Sequence, residues 1–216
     1  MKRNKSYAVI GLGRFGQAVA KELAKSGADV LAVDVNEEKV STIAEYVTHA
    51  VKADVTDADT METLGIGSMD TVIVAVGRSM EASILATIMA KEQGAPYVIA
   101  KAQDEMHTKI LTKVGADRVI IPEKESGIRI ARTLFNGNCL DFFELSEHIS
   151  MVEIPVHSEW IGKNLRELDL RRLYKLNVIA YEAQGQELIV NISPEMPLEQ
   201  GTIWITGKVE DVAKVM

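Results

Sequence analysis

The stretch AVIGLGRFGQAV, residues 8–19, indicates the fold of the first part of the chain. Gly11, Gly13 and Gly16 follow an apolar run and open a helix-like pattern. This G-x-G-x-x-G spacing is typical of the strand-to-helix turn of a dinucleotide-binding unit. The first glycine permits a tight turn, the second lets backbone N–H groups approach a pyrophosphate, and the third lets the helix pack close to the strand. The spacing therefore predicts a phosphate-binding loop at the start of a helix.

Asp34 ends the next apolar run, close to the spacing of about 20 residues expected of an acid that binds ribose. Its carboxylate is suited to accept hydrogen bonds from ribose hydroxyls and to repel a 2′-phosphate. The residue therefore disfavours NADP as the ligand.

Arg14 lies inside the glycine loop, where a dinucleotide enzyme often has a small or neutral residue. A guanidinium carries a fork of donors suited to additional phosphate oxygens, so Arg14 favours ATP or ADP over NAD, or contacts a neighbouring subunit's ligand. The alternative is an exposed arginine at the helix start, although a cation there opposes the helix dipole.

Further along, KADVTD (52–57) ends the third predicted strand, where the adenine of a Rossmann ligand lies. Asp54 and Val55 are candidates to hydrogen-bond and cover the base. In the alternative interpretation, Asp54 or Asp57 is the N-cap of the next helix.

Short apolar runs and helical patterns alternate through residues 1–135. The apolar runs are mostly continuous, as in strands that are buried on both faces of a parallel sheet. They predict six strands at residues 7–10, 30–33, 50–51, 71–76, 97–100 and 119–121. With five intervening helices, these residues are expected to form an α/β domain with a Rossmann-like, doubly wound parallel sheet.

The pattern changes at the turn-forming residues Asn136, Gly137 and Asn138. Residues 136–216 are expected to form a small C-terminal α+β domain. Its predicted elements are a strand at 150–156, a helical stretch at 163–174, a hairpin over 177–190 around Gly185, a strand at 202–207 and a terminal helix at 210–216.

Composition restricts the classes of function. The 216 residues are 47% hydrophobic and 25% charged, which is typical of a soluble globular protein. A net charge of −7 argues against a nucleic-acid partner. The single cysteine, Cys139, excludes an intrachain disulfide, and no apolar run approaches the ~18 residues of a membrane helix. We expect a cytoplasmic protein.

Catalytic motifs are not evident. Of the four histidines, only His107 follows the carboxyl end of a predicted strand, and no acid or base partner is apparent for it. Its alternative role is that of a polar residue at a helix start. Walker, GxSxG and HExxH motifs are absent from the sequence. We therefore expect ligand binding without catalysis, with an NAD-dependent oxidoreductase as the alternative.

Several stretches together resemble one family: YAVIGLGRFGQAVAKEL (7–23), VLAVDVNEEKV (30–40), VKADVTD (51–57) and GADRVIIPEKESGIRIA (115–131). They are similar to the RCK-domain proteins of bacterial Ktr/Trk-type potassium uptake systems, and most of all to the cytosolic gating subunits of the Ktr type. The C-terminal region resembles the RCK C-terminal (TrkA-C) domain.

The resemblance implies a regulatory subunit that forms homodimers, which assemble into an octameric ring. The ring is expected on the inner face of the cell membrane, peripheral to a membrane-embedded potassium-translocating subunit. ATP and ADP are expected to compete for the Rossmann pocket, and an NAD(H)-sensing Trk-type protein is the alternative. The nucleotide contacts implied by matching motifs are Gly11, Gly13, Arg14, Phe15, Gly16, Asp34, Val35, Asn36, Asp54, Val55, Val76, Gly77, Arg78, Lys101, Gln103, His107 and Glu123.

Two further sites are implied by the resemblance alone. Glu123 matches a family glutamate near the nucleotide phosphates, where a cation such as Mg, Ca or Na binds, but it is equally typical of an acid in the first turn of a helix. The C-terminal domain of several relatives binds cyclic di-AMP, and structural roles are the alternative for the matching residues. These are Leu170, Arg171, Asn177, Val178 and Pro194.

Overall fold

The computed structural model describes residues 5–135 and 139–216. The predicted break at Asn136, Gly137 and Asn138 lies outside these residues. The chain divides into two compact units, a first unit that ends at Pro122 and a second unit that begins at Glu123. The boundary that we predict at 135/136 differs from this division by one helix, Pro122–Phe135.

The first unit is a six-stranded parallel sheet with helices in the connections. The strand order is β3-β2-β1-β4-β5-β6, so the direction of winding reverses between β1 and β4. Its strands are β1 (Ser6–Ile10), β2 (Asp29–Asp34), β3 (His49–Lys52), β4 (Thr71–Val74), β5 (Val98–Lys101) and β6 (Arg118–Ile120). Its helices are α1 (Arg14–Lys25), α2 (Glu37–Ile43), α3 (Ala58–Thr63), α4 (Met80–Glu92) and α5 (Glu105–Lys113), with a short 3₁₀ helix at Ile66–Ser68.

Both faces of this sheet are buried, which explains why its strands are continuously apolar. Alternate residues of one strand belong to different cores: Val9 packs with Ile73 on one face, and Ala8 packs with Val72 on the other. In sheets of this type, ligands bind beyond the carboxyl ends of the strands at the point where the winding reverses. Here that point is the end of β1, directly before the glycine loop.

The second unit contains a four-stranded antiparallel sheet in the order β7-β8-β10-β9. Its own apolar core includes Ile154, Tyr181 and Ile203, all fully buried. The elements are α6 (Pro122–Phe135), which starts at the last residue of the first unit, β7 (Asp141–Ser146), β8 (Ile149–Pro155), a 3₁₀ helix (Ser158–Trp160), α7 (Leu165–Leu168), α8 (Leu170–Tyr174), β9 (Asn177–Ala183), β10 (Gly201–Lys208) and α9 (Val209–Val212).

The structure confirms the predicted doubly wound α/β domain followed by a small α+β domain, and it differs in three details. The helical stretch at 163–174 is broken at Asp169, which adopts a left-handed φ of 42°. In the predicted hairpin, Ile189 forms only an isolated bridge with Tyr181, and β9 pairs along its length with β10. The edge strand β7 has no counterpart in our sequence prediction.

None of the helices within the described residues is both long enough and apolar enough to cross a lipid bilayer.

Candidate nucleotide site

The glycine loop has the geometry that its spacing predicts. Gly11 adopts a φ of +95°, and its N–H donates to the Val33 carbonyl at 2.7 Å. A Cβ on Gly16 would lie 1.9 Å from the Gly11 carbonyl oxygen, so only glycine allows α1 to approach the loop. A Cβ on Gly13, by contrast, would have no atom within 4 Å. The backbone at Gly13 therefore faces open space that a phosphate can enter.

Helix α1 begins at this open position. Gly13 is its N-cap residue, no side chain caps the helix there, and no acidic residue lies in the first turn. The free N–H groups and the positive end of the helix dipole therefore favour an anion. The residues present fit the phosphates of a nucleotide.

Asp34 links the loop to the end of β2. The side chain is only 7% exposed, and it accepts hydrogen bonds from the N–H of Leu12 at 2.6 Å and from the N–H of Asn36 at 2.9 Å. Burial raises the pKa of Asp34, but these two bonds and the Lys39 ammonium outweigh it and hold the pKa below its usual value. Asp34 is therefore an ionised acceptor at neutral pH.

Lys39 is a member of this site that our sequence reasoning missed. Its Nζ lies 3.0 Å from Asp34 Oδ2. The Asn36 side chain caps α2 by accepting from the Lys39 N–H, which places Lys39 one turn beyond Asp34. The Asn N-cap and the first-turn lysine are recognisable in the sequence, but their spacing alone does not show that Lys39 contacts Asp34.

The other residues predicted near the loop differ in exposure. Arg14 is the first residue of α1 and is exposed, with no ion pair or hydrogen bond among the described residues. Phe15 is half-buried against the core on one face of the sheet. Val35, directly after Asp34, is 63% exposed.

The loops after β4 and β5 meet. The Gln103 side-chain amide donates to the Gly77 carbonyl at 2.8 Å, and Lys101 Nζ would lie 3.9 Å from a Cβ on Gly77. Val76 is half-buried, whereas Arg78 is exposed. Four of the predicted contacts, Val76, Gly77, Lys101 and Gln103, are thus brought to the carboxyl ends of adjacent strands.

His107 lies in the first turn of α5 and is fully buried, so its ring is not exposed in an open cleft. Its Nδ1 accepts from the Gln103 N–H at 3.3 Å, while Nε2 is buried without a partner among the described residues. Burial lowers the pKa of His107, against the opposing charge of Asp104. In this arrangement the imidazole is neutral and supports the loop that carries Gln103.

The structure distinguishes the aspartates at 54 and 57. Asp57 is the N-cap of α3, where it accepts from the Asp59 N–H at 3.2 Å. Asp54 is exposed and accepts from the N–H and hydroxyl of Thr56, and these bonds lower its pKa. Val55 is 8% exposed and packs in the core, so little of its side chain is available to cover a base.

The remaining predicted residues belong to the second unit. Glu123 is an exposed acid in the first turn of α6. Across residues 5–135 and 139–216, no three His, Cys, Asp or Glu side chains cluster as metal ligands. The cation site that we predict at Glu123 stays a prediction.

In the same unit, Arg171 Nε donates to Asn177 Oδ1 at 3.0 Å, which brings together two residues of the predicted cyclic di-AMP site. Val178 is half-buried and Pro194 is exposed. Leu170 is 4% exposed and packs in the core, so its side chain does not contribute to an outer surface of this chain.

The sequence matches two family models. The TrkA-N domain model matches residues 7–122, and the TrkA-C domain model matches residues 149–216. The first match covers the first unit, and the second covers the strands from β8 onward.

Two relatives match nearly end to end. The chain is 40% identical to the Ktr system potassium uptake protein C of Bacillus subtilis over 211 residues, covering 97% of this chain and 95% of that protein. It is 41% identical to the Ktr system potassium uptake protein A of Vibrio alginolyticus over 208 residues, covering 96% of this chain and 94% of that protein. Neither relative is named as an enzyme, in agreement with the prediction of a non-enzymatic protein.

A solved structure shares the fold. The GsuK channel bound to NAD matches 97% of this chain and 38% of the channel, with a TM-score of 0.66 and 17% sequence identity. The TrkA-N match contains the glycine loop and the parallel sheet, and the TrkA-C match lies in the small antiparallel domain. The chain therefore belongs to the TrkA-N/TrkA-C family of RCK-domain proteins represented by the Ktr system potassium uptake proteins.

Proposed function

We propose that the protein is the cytosolic gating subunit of a bacterial potassium uptake system and that an adenine nucleotide at the glycine loop controls it. The names of the relatives support potassium uptake. The observation that carries the ligand is the open space at Gly13, at the uncapped N-terminus of α1, together with the ionised Asp34 that accepts from the N–H of the adjacent Leu12. Phosphates and a ribose diol are the groups that suit these two features.

In this proposal the phosphates bind the N–H groups of the loop, and Arg14 supplies a cation for a further phosphate. Asp34 binds the ribose with Val35 and Asn36 beside it, and Asp54 and Val55 lie near the base. The loops after β4 and β5 complete the site through Val76, Gly77, Arg78, Lys101 and Gln103. His107 acts behind Gln103, because its ring is buried.

The proposed assembly is a homodimer that builds an octameric ring, peripheral on the inner face of the membrane and docked on a membrane-embedded potassium-translocating subunit. Glu123, with a cation such as Mg, Ca or Na, is proposed to act close to the nucleotide in that assembly. Light scattering with ATP present would test the ring, and a monomer at micromolar concentration would contradict it.

A second ligand is proposed for the second unit. The Arg171–Asn177 pair offers a guanidinium and an amide on one surface. Val178 and Pro194 are the apolar residues of the predicted site that are not fully buried. These groups suit the phosphates and bases of cyclic di-AMP bound across a twofold axis, where each residue occurs twice. Leu170 would act from the core, by supporting Arg171.

The decisive experiment is a calorimetric titration of the full-length protein with ATP, ADP, NADH and NADPH. We expect ATP and ADP to bind and NADPH to bind more weakly. Gly13→Ala is the test variant, and we expect it to bind ATP more weakly, because its methyl group would occupy the open space without contacting the protein. Tighter binding of NADH than of ATP would replace the adenine-nucleotide proposal with the NAD(H)-sensing alternative, and no binding by any of the four would overturn both.

A further inference from the structure

The carboxylate of Asp34 has little capacity left for a ribose. Oδ2 accepts from the Leu12 N–H and from Lys39 Nζ, and Oδ1 accepts from the Asn36 N–H. A carboxylate offers about four acceptor positions, two on each oxygen. One position on Oδ1 therefore remains open, whereas a ribose diol presents two hydroxyl donors.

The three donors on Asp34 are not equally replaceable. The Leu12 N–H belongs to the loop beside Gly11, and the Asn36 N–H belongs to the turn that starts α2. Moving either would require rearrangement of the backbone. The Lys39 ammonium is held only by a flexible side chain that is 36% exposed, so water can replace Asp34 as its partner. Lys39 is the donor that a ligand can displace.

From this geometry we infer that Lys39 is a specificity-determining residue that competes with the ribose for Asp34 Oδ2. The inference rests on the proposed nucleotide site and assigns Lys39 a role within it. A ribose that uses both hydroxyls must displace Lys39, so the second hydroxyl gains less binding than it would at an unoccupied carboxylate. The displaced ammonium stays near the ribose, where it offsets the repulsion between Asp34 and a 2′-phosphate.

This role makes a specific prediction about ligand ratios. In the wild-type protein, ATP and 2′-deoxy-ATP differ little in affinity, because the 2′-hydroxyl competes with Lys39. In Lys39→Met, Oδ2 is open, and the affinity ratio of ATP to 2′-deoxy-ATP rises by about three- to tenfold, as expected for one additional hydrogen bond. The ratio of the affinity for NADH to that for NADPH rises as well, because no Lys39 ammonium then offsets the repulsion between Asp34 and the 2′-phosphate.

Ratios are used because removing any lysine weakens attraction for phosphates in general. Lys52→Met is the matched control. Lys52 ends β3 and pairs with Glu37 at 3.2 Å rather than with Asp34. The Lys52→Met variant is expected to change the affinities for ATP and 2′-deoxy-ATP by the same factor. Lys39→Arg keeps a cation beside Asp34 and is expected to keep the wild-type ratio.

The experiment is calorimetric titration of the four full-length proteins, with thermal denaturation as the check on folding. An unchanged ratio in Lys39→Met, or the same rise in Lys52→Met, would overturn the role of Lys39. A folded Lys39→Met that has lost ATP binding would assign the residue to phosphate attraction and would also overturn it. These outcomes differ from failure of the proposed function, in which the wild-type protein itself binds no nucleotide.

Discussion

The carboxylate of Asp34 at the end of β2 accepts a 2.6 Å hydrogen bond from the backbone N–H of Leu12 in the glycine loop. The two residues are distant in sequence, and the bond fixes the loop against the next strand. In the proposed nucleotide site Asp34 has two roles, since the carboxylate proposed to accept a ribose hydroxyl also holds the loop in place. Changes at Asp34 should affect both binding and folding.

Asp34→Ala is expected to weaken ATP binding by about 1–3 kcal/mol and to lower the free energy of unfolding, because buried N–H donors lose their acceptor. The pKa of Asp34 is below its usual value in the folded protein. The ionised Asp34 therefore contributes fully to stability above about pH 4, and this contribution is lost as the pH falls through the folded-state pKa. Denaturation of both proteins from pH 7 to pH 3 measures this difference.

The control for this series is Asp29→Ala, at the exposed start of β2. This variant removes an exposed carboxylate and leaves the Leu12 and Asn36 N–H groups with their acceptor. A difference between wild-type and Asp34→Ala that stays constant down to pH 3 would contradict the ionised, hydrogen-bonded state of Asp34.

Gly13→Ala and Gly16→Ala should separate binding from folding. An alanine at Gly13 meets no atom within 4 Å, so the free energy of unfolding should change by less than about 1 kcal/mol while ATP affinity falls about tenfold. An alanine at Gly16 would clash with the Gly11 carbonyl and should destabilise the protein by at least about 1–3 kcal/mol. Unfolding curves and titrations of both variants test this, and normal ATP binding by Gly13→Ala would exclude the loop as the phosphate site.

Arg14→Ala should weaken ATP binding about tenfold and ADP binding much less, since only ATP offers the terminal phosphate to the guanidinium. Lys25→Ala, which removes an exposed cation from the last turn of the same helix, is the control and should affect both nucleotides slightly and equally. Equal losses of ATP and ADP affinity in Arg14→Ala would make Arg14 a general phosphate contact.

His107 should make stability depend on pH near neutrality. Burial holds its pKa below the ordinary value of about 6.5, so the unfolded chain binds a proton more readily and stability falls as the pH drops below about 6.5. His107→Gln should show a shallower decline between pH 7.5 and pH 5.5. His49→Gln, at an exposed position of β3, is the control for the exchange of histidine for glutamine. A wild-type slope in His107→Gln would contradict the lowered pKa of His107.

Arg171→Ala and Asn177→Ala should each weaken cyclic di-AMP binding to the full-length protein, because the two side chains position one another through the 3.0 Å bond. The double variant should lose less than the sum of the two single losses. Arg172→Ala is the control, since Arg172 pairs with Asp169. A wild-type protein that binds ATP but not cyclic di-AMP would leave Arg171 and Asn177 with a structural role.

Much of the first unit could be predicted because its signals are local. Continuous apolar runs identify strands that are buried on both faces, and the glycine spacing defines one loop geometry. The edge strand β7 is harder to recognise. Phe142 is buried, but the three residues Glu144–Ser146 are all exposed, so alternation ends halfway along the strand. The break at Asp169 is also hard to recognise, because most aspartates do not adopt a left-handed φ and the residues around it keep a helical pattern.

The site was less predictable, because side-chain direction depends on packing. His107 follows a strand and suggests a ligand contact, yet it shares a buried helix face with Leu111, four residues later. That i,i+4 spacing was the available signal for a buried histidine. Lys39 contacts Asp34 only because the Asn36 cap turns the chain between them, which sequence spacing does not reveal.

The separate cores of the two units have a consequence for measuring what the protein binds. Each unit has its own apolar core among the described residues, so we expect each to melt in a cooperative transition of its own. A ligand raises the melting temperature only of the structure that it binds. Differential scanning calorimetry can therefore assign each ligand to its unit without any substitution: adenine nucleotides by a shift of the first unit's transition, and cyclic di-AMP by a shift of the second's.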